Sequence, residues 1–164
     1  MVEVVGIDPG SKTWDVVRLS GKAVKEEMKI STKKVSEEPE KFFEKVRRIA
    51  ENAELVTAPS GYGLPIKNVR DLGDDDLNEI TLKRHGEPVE LGLTKVFKLL
   101  QGSGLNSVVI PGVKHLPTVP RHRKVNRVDM GTPDKLCSTA LGVEHRAEEA
   151  NLSYEDVNVL VVEL

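Results

Sequence analysis

Hydrophobic positions near the start of the chain predict three antiparallel strands. Val2–Asp8 is an almost continuous apolar run that stops at Pro9-Gly10, which is typical of a buried central strand ended by a tight turn. Two further runs, Trp14–Leu19 and Ala23–Ile30, are separated by a short link that contains a glycine. This spacing predicts a hairpin that continues directly from the first strand.

The rest of the chain alternates between helical and extended patterns. Apolar residues at helical spacing predict helices over residues 37–52, around Leu93–Leu100, and from Thr132-Pro133 to about Ala150. Short apolar runs between and after them predict three more strands, at Glu54–Ala58, Ser107–Ile110 and Val157–Glu163. A long stretch between Gly61 and Glu90 has no regular pattern.

This order of elements predicts an α/β fold. Three antiparallel strands followed by helix-crossed parallel strands indicate a ribonuclease-H-like mixed five-stranded sheet flanked by helices, plus an extra C-terminal strand. We expect residues 1–152 to form this N-terminal domain and residues 153–164 to begin a second domain. An unpaired apolar strand tends to pair with another chain, so we also expect self-association or a partner domain there. A monomer mass independent of concentration in light scattering would contradict that expectation.

Composition narrows the class of protein. The chain has 164 residues, enough for one domain with a core, and a formal charge of −2, so nucleic acid is an unlikely partner on global charge. One cysteine excludes an internal disulfide, and no segment resembles a signal peptide or a membrane span. We therefore expect a cytoplasmic protein without membrane association.

The turn after the first strand carries residues suited to phosphate. Gly10 allows close backbone approach, Ser11 and Thr13 offer N–H and O–H donors, and Lys12 adds positive charge. Asp8, at the end of the strand, is the candidate catalytic residue and magnesium ligand. The alternative is an ordinary hairpin turn with a capping aspartate, and the buried strand before the turn favours function.

Two aspartates flank the start of the last long helix. Asp134 lies in the first turn, where a carboxylate complements the helix dipole, and we assign it that structural role. Asp129 precedes the helix, and in the expected fold this end of the helix approaches Asp8. Asp129 is therefore the second candidate for catalysis and for the metal.

The segment from Lys114 to Arg127 is the one dense basic run, and prolines interrupt it. Such a loop can bind phosphate or a carboxylate substrate, and solvated loop charge is an equally open interpretation. The candidate substrate-binding residues are His115, Arg121, His122 and Arg123. The histidines lack the clustering of a zinc site, and Cys137 is interpreted as a packed small side chain.

Several segments together resemble a known family. They are Gly6-Ile7-Asp8-Pro9-Gly10-Ser11-Lys12-Thr13, Ala58-Pro59-Ser60-Gly61-Tyr62-Gly63-Leu64-Pro65, Ile110-Pro111-Gly112-Val113-Lys114-His115-Leu116-Pro117-Thr118-Val119-Pro120, His122-Arg123-Lys124 and Asp129-Met130-Gly131-Thr132-Pro133-Asp134-Lys135-Leu136-Cys137. The chain resembles, over essentially its whole length, an archaeal family of uncharacterised, predicted butyrate-kinase-like proteins. Those proteins resemble the acetate-kinase, sugar-kinase, chaperone and actin ATPases, which hold ATP between two ribonuclease-H-like halves.

The resemblance implies the N-terminal half of a kinase-like ATPase. ATP and Mg²⁺ would be its cofactors, a small carboxylate or sugar its substrate, and residues 8–13 its first phosphate loop. A second phosphate loop is expected beyond a strand such as Val157–Glu163, so the enzyme would be inactive without it. Two alternatives stay open: a metal-dependent nuclease of the Holliday-junction-resolvase class, and a non-catalytic assembly module. For the nuclease, Asp8, Asp129 and Asp134 supply three carboxylates, whereas the fourth strand ends without an acid.

Overall fold

The computed structural model describes residues 1–81, 92–125 and 131–162. Its first three strands form an antiparallel meander, as predicted from the sequence: β1 (Glu3–Pro9), β2 (Thr13–Ser20) and β3 (Ala23–Ser31). The remaining strands are shorter: β4 (Leu55–Thr57), β5 (Lys67–Asn68) and β6 (Ser107–Val109).

Five helices lie in the described part of the chain: α1 (Thr32–Glu37), α2 (Pro39–Ile49), α3 (Asp74–Thr81), α4 (Leu93–Gly102) and α5 (Pro133–Ala150). Pro39 occupies the first turn of α2, where its missing N–H costs no hydrogen bond. Single 3₁₀ turns occupy Val69–Asp71, Val113–His115, Arg121–Val125 and Tyr154–Asp156. None of the helices among the described residues combines the length and the apolar character needed to cross a membrane.

The strands form one mixed sheet in the order β3-β2-β1-β4-β6-β5. β1 pairs in parallel with β4, and β4 pairs in parallel with β6, whereas β5 runs antiparallel to β6 at the edge. The predicted mixed α/β sheet flanked by helices is therefore confirmed. The sheet has six strands where the sequence predicted five, because the two-residue β5 is too short to show an alternating pattern.

The hydrophobic core lies on one face of the sheet, beneath α1, α2 and α4. Val5 and Ile7 of β1 face this core together with Trp14 and Val16 of β2. The Trp14 ring meets the Phe42 ring of α2 edge-on, with the ring centroids 5.3 Å apart. Such pairs add stability beyond the area they bury, so they fix α2 against the first hairpin.

The predicted C-terminal strand is wrong for the residues described there. Residues 157–162 form no strand, and Leu160 is 90% exposed. This segment returns beside α5, since a Cβ built on Gly142 would lie 3.3 Å from a methyl of Val161. Valine-rich composition favours a strand but does not supply a pairing partner, and this segment joins neither edge of the sheet, β3 or β5. Self-association through this segment stays a prediction.

The predicted helix over residues 37–52 is also corrected at its start. A separate short helix, α1, ends at Glu37, and α2 then runs over Pro39–Ile49. The Ser31 hydroxyl caps α1 by accepting a hydrogen bond from the Lys34 N–H. Only Val35 contributes a fully buried apolar side chain to α1, so no helical stripe marks it in the sequence.

Two glycines with nearly the same backbone angle allow a test of loop packing. Gly63 has φ of 78° and Gly104 has φ of 77°. A Cβ on Gly63 would overlap the Gly112 nitrogen, whereas a Cβ on Gly104 would meet nothing within 4 Å. We expect Gly104→Ala to lower the free energy of unfolding by about 1–2 kcal/mol, from backbone strain alone, and Gly63→Ala by about 3 kcal/mol or more.

Urea unfolding followed by Trp14 fluorescence measures both changes. Equal losses in the two variants would show that the loops around Gly63 are not tightly packed.

Candidate functional site

Three parallel strands bring their carboxyl ends to one edge of the sheet. β1 ends at Pro9, β4 at Thr57 and β6 at Val109, and the chain continues from each into a loop. We call the region formed by these loops the carboxyl edge. In open α/β sheets, ligands bind in the crevice outside the carboxyl ends of the strands. We therefore expect the site residues predicted from the sequence to lie at this edge.

The turn after β1 is held in one shape by the start of α1. The Thr32 hydroxyl donates to the Gly10 carbonyl oxygen at 2.8 Å, and the Thr32 N–H donates to the Lys12 carbonyl oxygen at 3.0 Å. A Cβ on Gly10 would lie 2.5 Å from the Thr13 carbonyl oxygen, so the turn itself requires glycine. Glycine is therefore needed at position 10 because of close packing within the turn. Its φ lies outside the left-handed region and does not itself require glycine.

The tip of this turn presents donors to solvent. Ser11 and Lys12 are exposed, and within the described residues their N–H groups donate to no backbone carbonyl oxygen. The Thr13 hydroxyl donates to a carboxylate oxygen of Asp15 at 3.3 Å. Consecutive exposed backbone N–H groups and a lysine are groups that can bind an anion. Phosphate binding by residues 10–13 stays a prediction.

Asp8 lies on the face of the sheet opposite the core. It alternates with the buried Ile7, it is exposed, and it stands directly across from Asp15 of β2. Lys29 of β3 forms an ion pair with Asp15 at 3.2 Å. The facing carboxylates of Asp8 and Asp15 repel each other. The Lys29 ammonium offsets part of this repulsion because it pairs with Asp15. Asp8 and Asp15 are thus the acidic groups at the base of the turn of residues 10–13.

The start of α5 belongs to the same edge. The Val113 N–H donates to the Gly131 carbonyl oxygen at 3.2 Å, which ties the loop after β6 to the residues preceding the helix. Partial burial opposes ionisation of Asp134, but hydrogen bonds from Lys135 and Thr132 lower its pKa below the ordinary value. These local bonds agree with the structural role assigned to Asp134. Asp129 lies outside the described residues.

Cys137 connects the first turns of α5 to the end of β1. Its side chain is at the surface, yet nearby atoms remove part of its hydration and raise the pKa of the thiol. The carboxylates of Asp134 and Asp8 raise that pKa further. Asp8 is therefore close enough to α5 to act on Cys137 electrostatically, in agreement with the expected approach of this helix to the first strand.

The loops after β4 and β6 are bonded to each other. The buried Ser60 hydroxyl accepts a hydrogen bond from the Ile110 N–H at 3.0 Å and donates to the Ala58 carbonyl oxygen at 2.8 Å. The Tyr62 N–H donates to the Ile80 carbonyl oxygen of α3 at 2.9 Å. The position of α3 is therefore fixed relative to the carboxyl edge, although no predicted site residue came from that helix.

The basic run divides into an inner and an outer part. Arg121, His122 and Arg123 are exposed on a 3₁₀ turn, as expected for solvated charge. His115 is partly buried, and burial together with the neighbouring Lys114 lowers the pKa of its imidazole. The four candidate substrate-binding residues therefore do not share one environment.

Lys114 and Lys124 also belong to the less exposed part of the basic run, with His115, and the sequence did not identify them as candidates. The Lys114 side chain is 6% exposed, and its ammonium lies 3.4 Å from a carboxylate oxygen of Glu79. Lys124 donates to the Leu116 carbonyl oxygen at 2.8 Å. The available signal was the pair of apolar residues, Val113 and Leu116, that bracket Lys114 and His115 and favour an inward-packed loop.

The described residues do not form an all-protein metal cage. Among them, no group of three or more histidine, cysteine, aspartate or glutamate residues could hold a metal ion. Magnesium commonly takes one or two carboxylates and completes its shell with phosphate oxygens and water. The exposed carboxylate of Asp8, beside a turn with exposed N–H donors, is compatible with magnesium that arrives with a phosphate group.

The fold and site define a mixed α/β protein whose polar residues gather at the carboxyl edge of the sheet. Residues 6–164 match the family described as "Protein of unknown function (DUF1464)", and the chain belongs to that family. Among curated proteins, none matches the chain. The family match includes every loop of the carboxyl edge.

The electrostatic link between Asp8 and Cys137 can be measured directly. Removing the Asp8 charge by Asp8→Asn should lower the pKa of the thiol, so more thiolate is present and alkylation by iodoacetamide at pH 8 is faster. We expect the rate of alkylation to increase about twofold in Asp8→Asn. Asp15→Asn is the control, because the Asp15 charge is already paired with Lys29.

The rate of alkylation against pH, followed by mass spectrometry, gives the pKa in each variant. An unchanged pKa in Asp8→Asn would place Asp8 away from α5.

Proposed function

We propose that the carboxyl edge binds the phosphate groups of ATP and that this chain supplies one half of a kinase-like phosphotransferase. The observation that carries the proposal is the rigid turn of residues 10–13, with exposed donors at its tip and Asp8 beside it. A polar turn at the carboxyl end of a central strand is a common way to bind phosphate.

The topology supports a ribonuclease-H-like assignment within the α/β class. A three-stranded antiparallel meander is followed by β4, which pairs in parallel with β1, and a helical crossover separates β4 from β6, which pairs in parallel with β4. In the ATPases that this chain resembles, the turn between the first two strands of each half contacts the nucleotide phosphates. By this resemblance, the turn of residues 10–13 would be the corresponding phosphate contact.

The proposed reaction is transfer of the γ-phosphoryl group to a small acceptor. The bond from the γ-phosphorus to the bridging oxygen breaks, leaving ADP, as a bond forms to an oxygen of the acceptor. A carboxylate acceptor carries no proton on that oxygen, so the product is an acyl phosphate and no base is required. A sugar hydroxyl would need to lose a proton, and the exposed Asp8 carboxylate is the proposed acceptor of that proton.

Each residue of the turn has a specific part in this proposal. The N–H groups of Ser11 and Lys12 donate to phosphate oxygens, and the Lys12 ammonium offsets charge that accumulates during transfer. Asp8 would hold a magnesium ion, which would neutralise phosphate charge when bound. Enzymes of this type enclose the phosphates between two halves, so we expect weak binding and little transfer by this half alone.

The nuclease alternative has less support. Two-metal nucleases bring several carboxylates together. The chain leaves β4 through Ala58, Pro59 and Ser60, and thus without an acid beside Asp8. Asp134 is engaged by Thr132 and Lys135, and the described residues contain no cluster of three metal-binding side chains.

Calorimetric titration with and without magnesium tests the proposed site. We expect Mg-ATP to bind with a dissociation constant of about 1 mM, equivalent to about −4 kcal/mol. Asp8→Asn should weaken Mg-ATP binding about tenfold but leave binding of metal-free ATP unchanged or tighter, because Asp8 then no longer repels the phosphates. Lys12→Met should weaken both.

A remote charge-matched variant, Asp71→Asn, controls for the general loss of one negative charge. Absence of binding to the wild-type chain, or equal binding by all variants, would contradict the proposed nucleotide site.

A further inference from the structure

A small pocket lies between the end of β3 and the first two helices. It has a volume of about 230 Å³ and is lined by Ile30, Lys34, Glu38, Lys41, Phe42 and Lys45. Its walls thus come from β3, α1 and α2, and not from the loops of the carboxyl edge. The volume is below the range typical of pockets for drug-sized molecules, so the pocket suits a small ligand.

One side of α2 supplies most of this lining. Residues three and four apart are neighbours on a helix surface, and this spacing relates Glu38, Lys41, Phe42 and Lys45. Phe42 is buried and Ile30 of β3 is partly buried, and both belong to or pack against the hydrophobic core. Lys41 and Lys45 are exposed. The pocket therefore has an apolar floor and a charged rim that solvent can reach.

Positive charge dominates the rim of the pocket. The Lys41 ammonium donates to a carboxylate oxygen of Glu38 at 2.6 Å. This bond, followed by the charges of Lys41, Lys34 and Lys45, lowers the pKa of Glu38 below its ordinary value. Three ammonium groups therefore surround one carboxylate, which leaves two positive charges among the lining residues. Glu44 also acts on Lys41, but from outside the lining. Lys41 and Lys45 are four residues apart, a spacing at which like charges destabilise a helix.

We propose that this pocket binds a small phosphate monoester whose organic group is apolar. A phosphate monoester carries a charge of about −1.5 to −2 at pH 7, which matches the excess of lysines at the rim. Lysine ammonium groups bind phosphate as point charges with three rotatable donors. The organic group covers Ile30 and Phe42 at the floor. The site lies outside the carboxyl edge, so it does not depend on the proposed nucleotide site.

The single tryptophan of the chain is next to the floor of the pocket and can report binding. Trp14 stands opposite Ile30 in the sheet, and its ring meets the Phe42 ring edge-on. Titration of the nucleotide-free chain with phenyl phosphate at constant ionic strength should change Trp14 fluorescence and saturate. We expect inorganic phosphate to bind about fivefold more weakly, because it lacks the apolar group. Benzoate should bind about threefold more weakly, because it carries one charge.

Substitutions at the rim test the role of charge. Lys45→Met should weaken binding of phenyl phosphate about threefold, and Glu38→Gln should tighten it by a similar factor, because the competing carboxylate is removed. Lys33→Met is a matched control: Lys33 precedes Lys34 on α1 and pairs with Glu37 at 3.8 Å, but it does not line the pocket. It should leave binding unchanged. All three substituted side chains reach solvent, so we expect the variants to fold.

Four outcomes would overturn the proposal. No saturable change means no site, and equal affinity for phenyl phosphate and inorganic phosphate means that the apolar floor takes no part. Equal weakening in Lys45→Met and Lys33→Met means that only the general positive charge attracts the ligand. Loss of binding in Lys12→Met, with none in Lys45→Met, places the anion at the turn of residues 10–13, which Thr32 of α1 contacts. Because no nucleotide is present, failure here is distinguishable from failure of the ATP titration.

Discussion

The structure depends on close contact between three glycine-containing loops at the carboxyl edge. Gly63, Gly112 and Gly131 come from the loops after β4 and β6 and from the segment before α5. A Cβ would overlap neighbouring backbone atoms at Gly63 and Gly112, and at Gly131 it would lie 3.1 Å from a methyl group of Val113. Gly63 and Gly131 also have φ of 78° and 82°, which disfavours other residues. Because backbone meets backbone here, small displacements cannot be absorbed by side-chain motion.

This packing explains why polar groups from distant parts of the sequence occupy fixed positions. The loop that carries Lys114 and His115 is bonded to the residue before α5, and α5 in turn places Cys137 near Asp8. The turn of residues 10–13 is fixed separately, by Thr32 at the start of α1. A rigid framework with charged groups at its edge is the arrangement that phosphoryl transfer requires, because that chemistry relies on positioning and charge.

Local sequence patterns predicted the first part of the fold. Runs of apolar residues and the Pro9-Gly10 pair were enough to predict the meander of β1 to β3 and the turn of residues 10–13. The pattern could not reveal β5, which is two residues long, or the burial of Lys114, which depends on packing against α3. The predicted C-terminal strand is wrong because composition shows only a preference for strand, whereas a strand also needs a pairing partner, which the composition does not show.

Protection of Cys137 from alkylation tests the central claim most directly. The chain has one cysteine, so iodoacetamide modifies a single thiol, and that thiol lies at the edge proposed to bind nucleotide. The account predicts that saturating Mg-ATP slows modification of Cys137 at least about threefold, a change of about 0.7 kcal/mol, while Mg²⁺ alone does not. An unchanged rate at Mg-ATP concentrations that saturate the calorimetric signal would place the nucleotide elsewhere and contradict the account.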